Sequence, residues 1–299
     1  YGSQVQNFTK SIFLRLREIK YKESFPENKE NLYVGDYIKD IAKKILKNNK
    51  NINLDSFEKN YKILKKESLK YSLDLIKSDL KLLGVKHDYF FSETKLVENN
   101  LVSKTINKLK KNNFVVDGFL EPPKGEDSLN WKRTKRLIFK STLFGDDSDR
   151  ALQKDDGSWT YFANDIGYHS TKVSKKYDYL INILGADHIG YIKRISAAVR
   201  ALSKDKIKLV CKVSQLVKFL KNGEPYKMSK RSGDFVALSS LLKEVEKDAI
   251  RFMMLNRSSD MELEFDFNKV LEKNKENPVF YVQYCNARIN SLFRSLKIN

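Results

Sequence analysis

Asp178-Tyr179-Leu180-Ile181-Asn182-Ile183-Leu184 is a short, largely apolar run that ends at Gly185-Ala186-Asp187-His188. Runs of this length and composition are typical of strands that are buried in a parallel sheet. The apolar residues that follow recur at helical spacing and then alternate with lysines, first at Ile192, Ile195, Val199 and Leu202 and then at Ile207, Leu209, Cys211 and Val213. Strand, helix and strand in this order predict a βαβ unit, and therefore an α/β, Rossmann-like nucleotide-binding domain. Ligands of such sheets bind beyond the carboxyl ends of the strands, where Gly185 to His188 are expected.

A second stretch, Gly223-Glu224-Pro225-Tyr226-Lys227-Met228-Ser229-Lys230-Arg231-Ser232-Gly233-Asp234, combines cations, a hydroxyl and a glycine in one loop. Lys227, Lys230 and Arg231 predict contacts to a polyphosphate, and a positive loop can stabilise charge on a leaving pyrophosphate. A solvated, lysine-rich turn is the alternative, and the loop alone does not decide between them. Asn222-Gly223 predicts a β-hairpin that would carry the loop to the same edge of the sheet.

Composition limits the class of protein. The 299 residues are 41% hydrophobic and 32% charged, which suits one large domain or two medium ones. The formal net charge of +19 predicts a polyanionic partner, RNA or DNA ahead of an anionic membrane, although lysines spread over solvated faces would give the same total. No apolar run is long enough for a membrane span. Cys211 and Cys285 predict neither a disulfide framework nor a zinc site, so we expect a reducing cytoplasm and no metal ligands.

Apolar periodicity predicts three helices on the amino-terminal side, the third ending at Gly84. Asp36 is the expected cap of the second. We expect the apolar stripe of each helix to be a packing surface. The stripes are Ile12, Leu16 and Ile19, then Ile38, Ile41, Ala42, Ile45 and Leu46, then Leu69, Leu73, Ile76, Leu80 and Leu83.

The pattern changes twice further along the chain. Short apolar groups from His87 to Lys140 predict an inserted subdomain, and Leu137-Ile138-Phe139 and Trp159-Thr160-Tyr161-Phe162 predict strands with a turn at Asp155-Asp156-Gly157. Beyond the lysine loop, an apolar stripe runs from Leu238 to Phe252. A last helix is predicted from Asn277-Pro278 onward, on a spacing that indicates the start of a helical bundle.

Read together, these motifs resemble the class I aminoacyl-tRNA synthetases, and specifically the arginyl-tRNA synthetases. The lysine loop marks the class, whereas the stretches that begin at Tyr161 and Asn277 narrow it to arginine. The resemblance covers nearly the whole chain. It rests on Tyr33-Val34-Gly35-Asp36-Tyr37-Ile38, Phe91-Ser92-Glu93, Phe144-Gly145-Asp146-Asp147, Tyr161-Phe162-Ala163-Asn164-Asp165-Ile166-Gly167-Tyr168-His169, Gly185-Ala186-Asp187-His188, Lys227-Met228-Ser229-Lys230-Arg231 and Asn277-Pro278-Val279-Phe280-Tyr281-Val282-Gln283-Tyr284.

The resemblance implies that L-arginine and ATP, accompanied by Mg²⁺, form arginyl-adenylate, and that the arginyl group passes to tRNA(Arg). It places Tyr161 and Asp165 against the substrate arginine and makes Lys227 and Lys230 the catalytic cations. Without the family, Tyr161 would be a core aromatic and Asp165 a cap or surface residue. The ATP-binding positions that the resemblance implies are Gly185, Asp187, His188, Lys227, Met228, Ser229 and Lys230.

The same resemblance divides the chain into a catalytic Rossmann-like domain at 1–236 with an insertion around 87–140, a helical connection at 237–276 and the start of an α-helical anticodon-binding domain at 277–299. The family's His-Ile-Gly-His signature is absent, and Ile189 stands where many relatives carry a second histidine. We therefore expect a fragment that is inactive by itself. We also expect the protein to be cytoplasmic and monomeric. A catalytically inactive RNA-binding protein and a class I synthetase for another amino acid are the alternatives.

Overall fold

The computed structural model describes residues 2–120, 134–226, 237–274 and 277–296. The chain forms two compact units, one from residues 1–89, 217–258 and 262–299, and the other from 90–216 and 259–261. Helices combine with parallel and antiparallel strands, so the predicted α/β class is confirmed.

The first unit begins with three helices, α1 (Ser3–Tyr21), α2 (Asp36–Asn48) and α3 (Phe57–Leu82). The predicted stripes of α1 and α2 are confirmed, since Ile12, Leu16, Ile38, Ile41, Ala42 and Ile45 are buried in one cluster. Asp36 does not cap α2 with its side chain; Gly35 holds the cap position, and Asp36 places a negative charge in the first turn, where the helix dipole favours it.

The stripe predicted for α3 is only partly a packing surface. Leu83, just past the helix end, packs against the hydrophobic cluster that contains Phe265. Leu69 and Ile76, in contrast, are 39% and 48% exposed. Leu64 and Ser68 are the buried residues of this helix. Phe57, Tyr71 and Leu75 pack with Leu64 against the same cluster as α1 and α2, so the 26-residue α3 packs along a different face from the predicted one.

The second unit starts with helices α4 (Glu93–Glu98) and α5 (Leu101–Lys111). The antiparallel sheet β1-β2-β3 follows, formed by β1 (Val115–Gly118), β2 (Arg136–Phe139) and β3 (Arg150–Ala151). Next in the chain are α6 (Tyr161–Val173), β4 (Tyr179–Gly185), a 3-10 turn (Ala186–Tyr191), α7 (Ile192–Ser203) and β5 (Lys208–Ser214).

Strands β4 and β5 pair in parallel, from Tyr179 opposite Lys208 to Gly185 opposite Ser214. Helix α7 connects them, so the predicted βαβ unit is confirmed. The prediction that β4 is buried is wrong for one of its faces, because Tyr179, Ile181 and Ile183 are exposed. In the described part of the chain the sheet has two strands, and its other face is covered, with Leu180 buried against α7.

The strand predicted at Trp159-Thr160-Tyr161-Phe162 is wrong beyond Trp159. The Thr160 hydroxyl accepts a hydrogen bond from the Ala163 N–H at 3.2 Å, which caps α6 and starts it at Tyr161. A bridge between Gln153 and Trp159 closes the turn at Asp155-Asp156-Gly157, as predicted. The helix cap therefore prevails over the β propensity of the aromatic residues.

The predicted insertion around 87–140 shares a core with the strand-helix-strand unit. Ile106 of α5 and Phe139 of β2 are buried in the same cluster as Phe162 of α6 and Ala198 of α7. The domain boundaries given above remain predictions.

The remainder of the first unit contains β6 (Val217–Lys221), β7 (Glu224–Pro225), α8 (Leu238–Glu244), α9 (Lys247–Leu255), β8 (Leu263–Asp266), α10 (Phe267–Leu271) and α11 (Pro278–Ser295). Strands β6 and β7 form the predicted hairpin at Asn222-Gly223. The stripe from Leu238 to Phe252 lies on two helices, since the chain is extended at Val245.

Helix α11 starts as predicted, with the Asn277 side chain accepting from the Val279 N–H at 3.1 Å. Val279 is buried, while most of the apolar residues further along α11 are exposed. Among the described residues, no helix combines the length and the apolar character that crossing a bilayer requires.

Candidate functional site

The second unit contains a cavity of about 410 Å³ beside β4. Its walls come from α6, β4, the 3-10 turn and the first residues of α7. Its polar lining consists of Asp165, Tyr168, His169, Lys172, Asn182, His188 and Tyr191. A cavity of this size suits a small molecule that carries a few charged or hydrogen-bonding groups.

Helix α6 presents Asp165, His169 and Lys172 to this cavity because their spacing of four and three residues places them on one helix face. Lys172 Nζ donates to Asn182 Oδ1 at 3.1 Å, and Asn182 Nδ2 lies 3.0 Å from His169 Nε2. His169 Nδ1 in turn lies 2.9 Å from the carbonyl oxygen of Asp165. A lysine ammonium can only donate, so Asn182 Oδ1 accepts from Lys172 and Asn182 Nδ2 donates to His169 Nε2. The His169 proton therefore lies on Nδ1, which donates to the Asp165 carbonyl.

Burial lowers the pKa of His169 to about 4, and Lys172 acts in the same direction, although the hydrogen bonds to the Asp165 carbonyl and to Asn182 oppose the shift. The imidazole is therefore neutral near pH 7, as the hydrogen-bond chain requires. Burial also lowers the pKa of Lys172, an effect that the nearby Asp165 opposes.

The Asp165 carboxyl is half-buried, and its Oδ2 accepts a hydrogen bond from the Tyr191 hydroxyl. Burial raises the pKa of Asp165, whereas the bond from Tyr191 and the charges of Lys172 and His188 lower it. A carboxylate held at a cavity and partly stripped of water is stabilised by an entering cation, so the arrangement favours a positively charged ligand.

The predicted nucleotide segment lies at the carboxyl end of β4. Gly185 ends the strand, and Asp187 and His188 lie on the 3-10 turn, with His188 Nε2 3.5 Å from Asp187 Oδ2. Both side chains are exposed, which leaves them available to a ligand. His188 lines the same cavity as Asp165, so the structure brings one predicted ATP residue and one predicted arginine residue together; Gly185 and Asp187 are not in its lining.

Tyr161 is the first residue of α6, one turn before Asp165, and it is 78% exposed and outside the cavity lining. The ammonium of Lys154 lies 5.8 Å from the centre of its ring. The core position expected for Tyr161 without the family is therefore wrong. Lys227, Met228, Ser229 and Lys230 lie outside the described residues.

Sequence reasoning missed Lys172, Asn182 and Tyr191 as residues of the site. Two of them carried a signal: Lys172 follows Asp165 by two helical turns, and Asn182 is a polar residue inside an apolar strand. Tyr191 carried none, since its contact with Asp165 joins positions 26 residues apart.

No family model matches the chain. The arginine–tRNA ligase of Pelagibacter ubique is 58% identical over 299 residues, which is 100% of this chain and 52% of that protein. The chain belongs to the arginyl-tRNA synthetase family. An arginine–tRNA ligase of Ehrlichia ruminantium is 47% identical over 98% of this chain and 51% of its own length. The chain thus spans about half the length of these arginyl-tRNA synthetases.

Solved structures agree with this membership. A Campylobacter jejuni structure assigned as an arginyl-tRNA synthetase has a TM-score of 0.81 and 32% identity, and the match covers 100% of this chain and 62% of that one. The arginyl-tRNA synthetase of Thermus thermophilus shares the fold at 15% identity, with a TM-score of 0.58 over 96% of this chain and 56% of the other. The predicted class I synthetase fold is confirmed.

Proposed function

We propose that the protein to which this chain belongs is an arginine–tRNA ligase. The arginine carboxylate would attack the α-phosphorus of ATP, giving arginyl-adenylate and pyrophosphate, and the arginyl group would then pass to the terminal ribose of tRNA(Arg) with release of AMP. Similarity along the entire chain supports the reaction class. The observation that carries the choice of amino acid is the Asp165 carboxylate at the cavity wall.

Asp165 would bind the guanidinium of arginine. A carboxylate has about four lone-pair sites, so Asp165 can accept from Tyr191 and still form a charge-assisted pair with the planar guanidinium. Tyr161, one helical turn earlier, would contact the same substrate from the exposed end of α6.

ATP would bind across the carboxyl end of β4, with Gly185, Asp187 and His188 near its ribose and adenine. Lys227 and Lys230 would hold the phosphates, together with Met228 and Ser229 of the same loop. Mg²⁺ would arrive with the nucleotide, since this ion is usually bound by substrate phosphates, waters and one or two carboxylates rather than by a cage of protein ligands.

The net charge of +19 suits tRNA as the acceptor substrate, because lysines and arginines release counterions from a phosphate backbone. We further propose that the protein acts in the cytoplasm, where its tRNA is charged, and that it acts as a monomer. A class I synthetase for another amino acid is disfavoured by the relatives, which are named for arginine.

ATP–pyrophosphate exchange by the full-length protein tests this function. All amino acids are compared, each with and without tRNA. Exchange that depends on arginine is the expected result. Exchange with another amino acid would overturn the substrate, and RNA binding without exchange or aminoacylation under any of these conditions would identify an inactive RNA-binding protein instead.

A further inference from the structure

Tyr191 lies at the end of the 3-10 turn and reaches across to α6. Its hydroxyl donates to Oδ2 of Asp165, 26 residues away in the chain. The bond joins the turn that follows β4 to the face of α6 that lines the cavity, so it determines where one oxygen of the carboxylate lies.

The Tyr191 ring is held from two sides. The ring of Phe162, itself buried, meets it edge-on with centres 6.2 Å apart. The guanidinium carbon of Arg194 lies 5.2 Å from its centre. Contacts of both kinds stabilise one ring orientation, so the hydroxyl is a fixed donor rather than one that follows the carboxylate.

The other oxygen of Asp165 has a different environment. Oδ1 accepts no hydrogen bond from any residue that the structure describes, and the carboxyl lines the cavity. The charges of Lys172 on α6 and His188 on the turn also act on the Asp165 carboxyl, and both lower its pKa. The hydrogen bond of His169 is to the backbone carbonyl of Asp165 and not to its carboxylate, and Asn182 hydrogen-bonds His169 rather than Asp165. Tyr191 is thus the side chain that fixes the orientation of this carboxylate.

We propose that Tyr191 is a positioning residue for arginine recognition: by holding Oδ2, it turns Oδ1 of Asp165 into the cavity as the acceptor for the guanidinium. The inference rests on the proposed function, because it assigns Tyr191 a role toward a ligand that Asp165 would bind. Pre-organisation of this kind lowers the cost of ordering the carboxylate when the ligand enters.

Tyr191→Phe in the full-length protein keeps the ring and removes the hydroxyl. We expect the KM for arginine in pyrophosphate exchange to rise about tenfold, equivalent to about 1.4 kcal/mol. We expect kcat and the KM for ATP to stay within about twofold of their values in the original protein, because the hydrogen bond orients a binding residue and not the reacting atoms. Tyr177→Phe removes an exposed hydroxyl from the same unit and is the matched control. A changed ATP KM, or loss of cooperative unfolding in Tyr191→Phe, would overturn the positioning role in favour of a structural one.

A pH profile separates the two roles further. Arginine binding requires an ionised Asp165, and the hydrogen bond from Tyr191 favours that form, lowering the carboxyl pKa. Removing the bond raises the pKa, so the acid limb of kcat/KM for arginine should move to higher pH in Tyr191→Phe. An unmoved limb would contradict the inference.

A double-mutant cycle with Asp165→Asn completes the test. If Tyr191 acts through the carboxylate, Tyr191→Phe should add less than a twofold further loss once Asp165 is already Asn; additive effects would overturn the inference. A strong effect of Asp165→Asn with a silent Tyr191→Phe would overturn this inference alone. An Asp165→Asn variant with unchanged arginine dependence would instead overturn the arginine assignment on which the inference rests.

Discussion

Asp165 is a carboxylate half-withdrawn from water, with a tyrosine hydroxyl as its direct partner. Asp165→Asn keeps its shape but leaves a bound guanidinium without a counter-charge. We expect a loss of about 2–5 kcal/mol in arginine binding, the range for truncating one member of a desolvated charge pair. The KM for arginine in pyrophosphate exchange should therefore rise at least about thirtyfold, while the KM for ATP changes little.

Asp178→Asn, at an exposed acid in the same unit, is the matched control for that substitution. Lysine provides a second check, because a compact ammonium does not satisfy a planar carboxylate site and should be activated poorly by the unmutated protein. An arginine KM within about twofold of the original value in Asp165→Asn, worth about 0.4 kcal/mol, would remove Asp165 from the recognition site.

His169 should make stability depend on pH. Its pKa is about 4 in the folded chain and near its ordinary value of 6.5 when unfolded, so below that ordinary value the unfolded state binds more protons. The contribution of neutral His169 is fully present above pH 6.5 and is lost as pH falls toward 4, about 3 kcal/mol in all. Denaturant unfolding at pH 7 and pH 4.5 should show a smaller pH-dependent loss for His169→Gln than for the original chain.

The original chain, unfolded at the same two pH values, is the reference for this comparison and should show the full loss of stability. An equal loss in His169→Gln and in the original chain would mean that His169 does not contribute to the acid sensitivity.

Single residues also show how far sequence reasoning extends. Asp165 and His188 were predicted through family motifs, and both line the cavity. Lys172 and Asn182 were not, because their function depends on α6 facing β4, a contact that neither segment encodes by itself. In the sequence, Asn182 is a polar interruption of an apolar strand; the structure shows that its amide hydrogen-bonds Lys172 and His169.

Helices α5 and α6 approach each other closely at Gly167. A Cβ added there would lie 3.0 Å from Val102 Cγ2 and 3.2 Å from Val102 Cα. Alanine normally stabilises a helix interior by about 1 kcal/mol relative to glycine. Here the backbone of α5 opposes it, so we expect Gly167→Ala to destabilise the chain by about 1–3 kcal/mol in chemical denaturation.

Gly190→Ala is the control for the helix contact, because its added Cβ would have no neighbour within 4 Å. Its stability should be nearly unchanged. A stabilised Gly167→Ala would show that α5 moves away at little cost and that the close approach does not hold the two helices in register.

Element boundaries were predictable where capping and periodicity agree, as at Asn277 for α11 and across β4, α7 and β5. They were not predictable where the two signals conflict. The aromatic residues after Trp159 favour a strand, but the Thr160 cap and the apolar spacing of Phe162, Ala163 and Ile166 favour a helix, and burial of that helix face decides the outcome.

At the scale of the whole molecule, the charge of +19 predicts RNA association that depends strongly on salt. Each phosphate neutralised by a lysine or arginine releases counterions, so six to ten contacts would weaken binding by roughly 10³–10⁵ between 50 and 200 mM salt. Filter binding of the 299-residue chain to unrelated RNAs across this range should give a steep linear slope of log affinity against log salt.

Heparin should compete with those RNAs, since it offers the same kind of charge without bases. A flat salt dependence, or an affinity that differs strongly among unrelated RNAs, would show that the net charge is distributed over solvated faces without forming a binding surface.

The exposed apolar side chains on β4 and α11 affect how folding of this chain should be monitored. Ile181, Ile183, Leu292 and Phe293 offer sites to hydrophobic dyes while the rest of the structure is intact. Fluorescence of the dye ANS, which usually signals the loosened packing of a molten globule, should therefore already be high in the native chain. Near-ultraviolet circular dichroism, which reports fixed aromatic environments such as the Phe139–Phe144 stack, is the signal that distinguishes the native state from a loosened one.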